Sequence, residues 1–237
     1  MESAPQRTIV SFVNRGGRMT VGQTKAWERA WPALGREVAE LPDGPVDLAA
    51  WFGRQAPVLL EIGSGMGETT AALAEAEPEL NYLAVEVYPP GLAQLMMRIE
   101  ERELANLRLL RGDAVTLLER HLPSDSLRGV RIFYPDPWPK KKHHKRRLVQ
   151  PGFLALVADR LAAGGRVHLA TDWAHYADHM LAVGGAEPSL RNVYADEPGG
   201  WAPRPAWRPL TKFESRAEDA GRPSRDLIFE RRRTAGA

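Results

Sequence analysis

The sequence predicts an α/β domain built on a mainly parallel sheet, and two observations carry that expectation. From Pro57 onward, short apolar runs alternate with longer amphipathic segments, the order that produces strand, crossover helix and strand again. The first apolar run also leads directly into a glycine-rich turn, Gly63-Ser-Gly65-Met-Gly67. Open α/β sheets receive ligands at such turns, beyond the carboxyl ends of their strands.

In chain order, the candidate strands are Val58-Leu-Leu-Glu-Ile62, Tyr82-Leu-Ala-Val-Glu86, Leu107-Arg-Leu-Leu-Arg111, Val130-Arg-Ile-Phe-Tyr134 and Arg166-Val-His-Leu-Ala170. Between and after them, residues 68–76, 91–103, 114–120, 151–161 and 173–183 read as helices long enough for a crossover. Two further β-like runs, 190–194 and 227–230, are suited to an antiparallel pair at one sheet edge. Residues 1–55 read differently, as a basic arm with Arg7, Arg15, Arg18, Lys25 and Arg29 and a short helical stretch around Trp27. The expected division is therefore an N-terminal extension over 1–55 and the main domain over 56–237. The Pro- and Trp-rich piece 198–209 reads as a long irregular connection with aromatic anchors.

A chain of 237 residues with 43% hydrophobic content buries one sizeable core but not two full catalytic domains. It has no cysteine, which excludes a disulfide framework, a thiolate metal site and a cysteine nucleophile together. The first 18 residues lack an apolar signal core, and no apolar run approaches the roughly 18 residues a membrane span requires. These features lead us to expect a soluble, cytoplasmic protein with no membrane partner, a monomer or a homodimer. The net charge is only +2, so its distribution matters more than its sum. Six of the eight residues from Lys140 to Arg147 are Lys or Arg.

The glycines Gly63, Gly65 and Gly67 let backbone approach a ligand without a Cβ in the way. Glu61 stands directly before them. A carboxylate there would repel a pyrophosphate but suits the cationic amino acid part of S-adenosylmethionine, which favours that cofactor over NAD. Glu86 lies 19 residues after Gly67, about the spacing at which an acid reaches ribose hydroxyls. Asp113, followed by Ala114, ends the third candidate strand, so an acid lies near the end of each of the first three. The alternative is that the glycines form only a tight turn and the acids cap helices.

The stretch from Phe133 continues Tyr134-Pro-Asp136-Pro-Trp138-Pro-Lys140 and then Lys141-Lys142-His143-His144-Lys145-Arg146-Arg147. Prolines on both sides of Asp136 stiffen the backbone and deter a helix. The carboxylate is thus held on a rigid turn, and Trp138 beside it offers a flat surface to a planar base. The basic run has the density of a phosphate-tracking patch, or of a solvated face. His143 and His144 lack the spaced partners a metal site needs, so no metal is expected.

These motifs resemble those of the bacterial tRNA (guanine-N7-)-methyltransferases, which modify position 46 in the variable loop. The resemblance covers Ser11-Phe-Val13, Arg15, Gly17-Arg-Met-Thr20 and Gln23, the loop 60–67, Val85-Glu-Val87 and Asp113-Ala114. It continues through Tyr134-Pro-Asp-Pro-Trp138 with Lys140, Lys145-Arg-Arg147, Thr171-Asp172, and Thr211-Lys-Phe-Glu214 followed by Arg216. The family element usually ends in Arg-Gly, whereas Arg216 is followed here by Ala217.

The resemblance implies a Rossmann-like class I S-adenosylmethionine-dependent methyltransferase fold with tRNA as partner. It implies that Glu61, Glu86, Asp113 and Asp136 line the cofactor pocket, with Asp136 catalytic. Lys140, Asp172, Thr211, Lys212, Phe213 and Glu214 would handle the substrate guanosine, and Lys142, His143, His144, Lys145, Arg146 and Arg147 would bind RNA. Two other readings remain at this point: a non-catalytic tRNA-binding protein, and a methyltransferase of the same fold acting on a small amine or a protein side chain.

Overall fold

A computed structural model describes residues 10–12, 16–210, 214–215, 219 and 221–233. The first helix, α1 (Val21–Leu34), starts at a reciprocal cap. The Thr20 hydroxyl accepts the Gln23 amide at 3.2 Å, and the Gln23 side chain accepts the Thr20 amide at 3.0 Å, which satisfies two otherwise orphaned donors. The Gln23 side-chain amide also donates to the Pro90 carbonyl at 3.3 Å. That bond ties the start of the extension to α4 (Pro89–Glu101).

A strand that sequence patterning does not announce follows: β1 (Gly35–Glu37) pairs in parallel with β4 (Leu107–Arg111). Three residues are too few to show a period, which is why it escapes a pattern reading. Asp47 then caps the short α2 (Leu48–Phe52).

The remaining strands are β2 (Val58–Ile62), β3 (Asn81–Glu86), β5 (Leu127–Phe133), β6 (Leu161–Thr171), β7 (Leu190–Asn192) and β8 (Arg225–Arg231). The helices are α3 (Glu68–Ala76), α5 (Ala114–Arg120), α6 (Pro151–Arg160) and α7 (Ala174–Ala186). Each expected strand and helix is present. The main shifts are at Leu161, which opens β6 five residues early instead of closing a helix, at Leu127, which starts β5 three residues early, and at Ala186, which ends α7 three residues late; Pro89 starts α4 two residues early. Proline at the first helical position loses no hydrogen bond, because that amide has no partner in the helix.

The sheet runs β1-β4-β3-β2-β5-β6-β8-β7. Strands β1 to β6 are parallel, while β8 is antiparallel to both β6 and β7, which gives the expected antiparallel edge. Every residue of β2 is buried, as a central strand covered on both faces requires. Side chains alternate between two layers. Leu59, Tyr82, Ala84, Leu107 and Leu109 pack with α1, α3 and α4, whereas Leu60, Ile62, Val85, Val130 and Leu169 pack with α5, α6 and α7. The chain order reverses between β2 and β5, and open α/β sheets bind their ligands at such a switch point, beyond the carboxyl ends of the strands. Among the described residues, no helix is long and apolar enough to cross a membrane.

Candidate active site

The glycine turn leaves β2 at this switch point. Gly63, Gly65 and Gly67 all have left-handed backbone, with φ of 82°, 55° and 73°. At Gly67 there is a second constraint, since a Cβ would lie 2.6 Å from the Leu95 side chain. A further glycine, Gly91 on α4, was not expected: a Cβ there would sit 2.2 Å from the Gly65 carbonyl oxygen. The turn is therefore pressed against α4 from behind.

Glu86 fixes the turn from the side. Its Oε2 accepts the Gly65 amide at 2.8 Å, and its Oε1 accepts those of Val87 and Tyr88 at 2.6 and 3.0 Å. A carboxylate offers about four acceptor sites, so capacity remains for ligand hydroxyls. Asp113 caps α5, its Oδ1 accepting the Val115 amide at 3.1 Å. The capping alternative thus holds for this residue, and Ala114 is the first residue of the helix it starts.

Glu61 differs from the other acids. It is buried within β2, and its Oε2 has no hydrogen-bond partner among the described residues; nor does the buried Ser64 hydroxyl. Burial, reinforced by the negative charge of Glu86, pushes the Glu61 carboxyl up to about 7. Arg131, and the Thr70 hydroxyl facing it without hydrogen-bond geometry, pull it only part of the way back. A buried acceptor left open is costly, and a cationic ligand group at the glycine turn would relieve that cost.

Beyond β5, the turn 134–140 is non-helical, as its prolines predict, and carries two left-handed residues that are not glycine, Tyr134 at φ 52° and Trp138 at φ 45°. Asp136 lies half-buried between them. The Arg146 guanidinium covers one face of Trp138, 3.7 Å from the ring centroid. The indole N–H donates to the Ser11 carbonyl at 3.2 Å. Trp138 is thus already stacked by the chain's own arginine, and the arm passes beside it.

The basic run folds as a six-residue 3-10 helix, Lys141–Arg146, entered from the exposed Lys140. Lys142 and Lys145 are exposed, whereas Arg147 is buried at 2%. Arg147 donates to the Pro137 carbonyl at 2.9 Å and lies over the Tyr176 ring, so it braces the turn from inside. Partial burial and the surrounding cations hold His143 below the usual imidazole range. The rings of His144 and His175 are 5.3 Å apart.

At the end of β6, Asp172 is paired with Arg222 at 3.0 Å. Thr211, Lys212 and Phe213 lie outside the described residues, as do Arg216 and Ala217. Glu214 is fully buried and accepts from two guanidinium nitrogens of Arg204, Nε at 2.8 Å and Nη2 at 3.1 Å. Burial alone would raise its pKa; Arg204 and Arg208 reverse that and hold it below the usual carboxylate range.

A family described as putative methyltransferase matches residues 55–227. A tRNA (guanine-N(7)-)-methyltransferase of Alkalilimnicola ehrlichii is 50% identical over 98% of this chain and 96% of its own length. The protein of the same name from Chromohalobacter salexigens is 49% identical over 96% of this chain and 91% of its own length. The chain belongs to the tRNA (guanine-N(7)-)-methyltransferase family. Membership at this identity extends through the N-terminal arm and the segment around 211–214, beyond the sheet itself. Among solved structures, the 16S rRNA methyltransferase KamB has the same fold, with a TM-score of 0.52 at 16% identity over 81% of this chain and all of that one.

Proposed function

We propose that this enzyme transfers the methyl group of S-adenosylmethionine to N7 of a guanine in tRNA, at position 46 of the variable loop. The observation that carries the reading is a convergence at the switch point. The Glu61 carboxyl with its unpartnered Oε2, the glycine turn gripped by Glu86, and the Tyr134-Pro-Asp-Pro-Trp138 turn with its two left-handed residues stand at or just beyond the carboxyl ends of β2, β3 and β5, the neighbours at which the strand order reverses. The relatives named for this activity match over nearly their whole length.

The residues fit the cofactor. Glu61 would receive the cationic amino acid end, the Gly63–Gly67 backbone would lie along it, Glu86 would accept ribose hydroxyls, and Asp113 with Ala114 would border the base. Bound there, S-adenosylmethionine supplies an electrophilic methyl on a sulfonium centre. Guanine N7 already carries an in-plane lone pair at neutral pH, so no residue needs to remove a proton, and positioning dominates. Alignment of two reactants contributes about 7–11 kcal/mol of barrier reduction, more than any single hydrogen bond.

Asp136, with Asp172 beyond the neighbouring strand β6, would orient the donor edge of the guanine and stabilise the positive charge the base acquires. Asp172 would exchange Arg222 for the base. Lys140 would hold a phosphate or the O6 acceptor, and the exposed Lys142 and Lys145 would track the RNA backbone. The test is to incubate unmodified tRNA with methyl-labelled S-adenosylmethionine and map the label by N7-specific borohydride and aniline cleavage. Cleavage at guanine 46 is expected; label on another atom or another nucleotide overturns the assignment.

A further inference from the structure

On one face of the sheet, Arg131 of β5 neighbours His168 of β6, and Asp226 of β8 sits opposite Ala170 two residues further along. The connection 203–210 lies across this face. Trp207 packs on Arg131 and edge-on to His168, and next to it Arg208 enters the protein, its side chain only 1% exposed. Here the Arg208 guanidinium joins three elements. One terminal nitrogen donates to the Tyr134 hydroxyl at 2.7 Å. The other donates to Asp226 Oδ2 at 2.8 Å and lies 3.0 Å from Glu214 Oε1.

We propose that Arg208 is a positioning residue for methyl transfer, holding the turn that carries Asp136 in register with Glu214. The inference rests on the reading that this turn receives the guanine. Tyr134 has left-handed backbone, a conformation that persists in a bulky residue only when its surroundings over-determine it. Its hydroxyl supplies that restraint, bonded to Arg208 and, at 2.8 Å, to Ser224. Burial pushes the phenol up to about 12, so it stays protonated at working pH. Asp136 is two residues further along the same turn.

At the other end, Glu214 is clamped between Arg208 and Arg204. Arg204 also donates to the Arg208 carbonyl at 2.9 Å, which fixes the loop that carries the hub. A buried ionic cluster of this kind contributes little net stability compared with an apolar replacement. Its defined geometry is what it adds. Only a planar guanidinium presents donors to three acceptors in fixed directions, and a lysine cannot reproduce that fork.

The experiment compares wild type with Tyr134→Phe, Arg208→Lys and the double variant. The measurements are S-adenosylmethionine affinity by calorimetry, tRNA affinity by filter binding, and single-turnover transfer to guanine N7 with both ligands saturating. Each single variant is expected to transfer about tenfold to a hundredfold more slowly, the scale of a misplacement near 1 Å, with both affinities unchanged. The double variant is expected to be no slower than the slower single one, because both changes break the same link. Wild-type rates in the single variants, additive losses, or a loss confined to affinity overturn the inference. A fall in melting temperature with transfer unchanged also overturns it. Should Arg208→Lys fail to fold, Tyr134→Phe decides alone, since it removes one oxygen and no charge. Absence of N7 label in the wild-type reaction overturns the functional reading and this inference together, whereas unslowed variants beside an active wild type overturn this inference only.

Discussion

Glu86 Oε2 accepts the Gly65 amide at 2.8 Å, so the carboxylate at the end of β3 fixes the shape of the glycine turn after β2. The same group is the one expected to hold ribose hydroxyls, which makes turn geometry and cofactor affinity depend on one side chain. Glu86→Gln replaces one acceptor oxygen with a donor, and that donor must face either the Gly65 amide or those of Val87 and Tyr88. Hydrogen bonds to charged groups contribute about 1.5–3 kcal/mol. Calorimetry should therefore show S-adenosylmethionine binding weakened about tenfold to a hundredfold.

Glu61 predicts a pH dependence of both stability and binding. Its carboxyl is raised by burial from 4.5 to about 7 in the folded protein. Between those values the folded chain holds a proton that the unfolded chain has lost, so this group's contribution to stability falls as pH rises from about 4.5 through about 7. The full cost above pH 7 is about 3 kcal/mol. Glu61→Gln removes it, and denaturant unfolding should show the variant gaining on wild type as pH rises through that window.

Cofactor binding has the opposite sense. A cationic ligand needs Glu61 ionised, so wild-type affinity should fall by up to about tenfold per pH unit below 7. The Gln variant should bind weakly at every pH and lack that slope. Titrating S-adenosylmethionine at pH 6, 7 and 8 separates the two behaviours.

Two glycines in the same turn predict different mutational costs. At Gly63 a Cβ meets nothing within 4 Å among the described residues, so Gly63→Ala carries only the left-handed backbone penalty, about 1–2 kcal/mol. At Gly67 the same penalty is joined by a contact 2.6 Å from Leu95, which adds overpacking of about 1–3 kcal/mol. Urea unfolding should rank Gly67→Ala below Gly63→Ala, and pairing Gly67→Ala with Leu95→Ala should recover part of the difference.

Most of the sheet was legible because its strands and helices are long enough to show a period: β2, β4, α3 and α5 end where the patterning places them. The acids were legible because each stands at the end of a strand, Glu61 excepted, whose position before the glycines singled it out. What was not legible depends on register between distant segments. Nothing near Arg208 in sequence indicates that Asp226 will sit opposite Ala170, or that Tyr134 will turn its hydroxyl toward both Arg208 and Ser224. β1 was hidden by its length, and Gly91 by lying inside a helix whose glycine reads as a mere weakness.

Charge counting alone treats Lys142, Lys145, Arg146 and Arg147 as equivalent phosphate ligands, but their environments divide them. Lys142 and Lys145 are exposed. Arg146 stacks on Trp138 and donates to the Val10 and Phe12 carbonyls at 3.3 and 3.4 Å, and Arg147 is buried against Pro137 and Tyr176. Replacing Lys142 and Lys145 by alanine should weaken tRNA binding and flatten its dependence on log salt by about 0.7–0.9 for each phosphate no longer neutralised, with unfolding unchanged. Arg147→Ala should leave the salt slope intact and instead lower stability by about 2 kcal/mol, the scale of a broken charge-assisted hydrogen bond. Filter binding from 50 to 200 mM salt, alongside urea unfolding, reads both outcomes. A flattened slope in Arg147→Ala would show that this arginine leaves its buried site to meet the RNA.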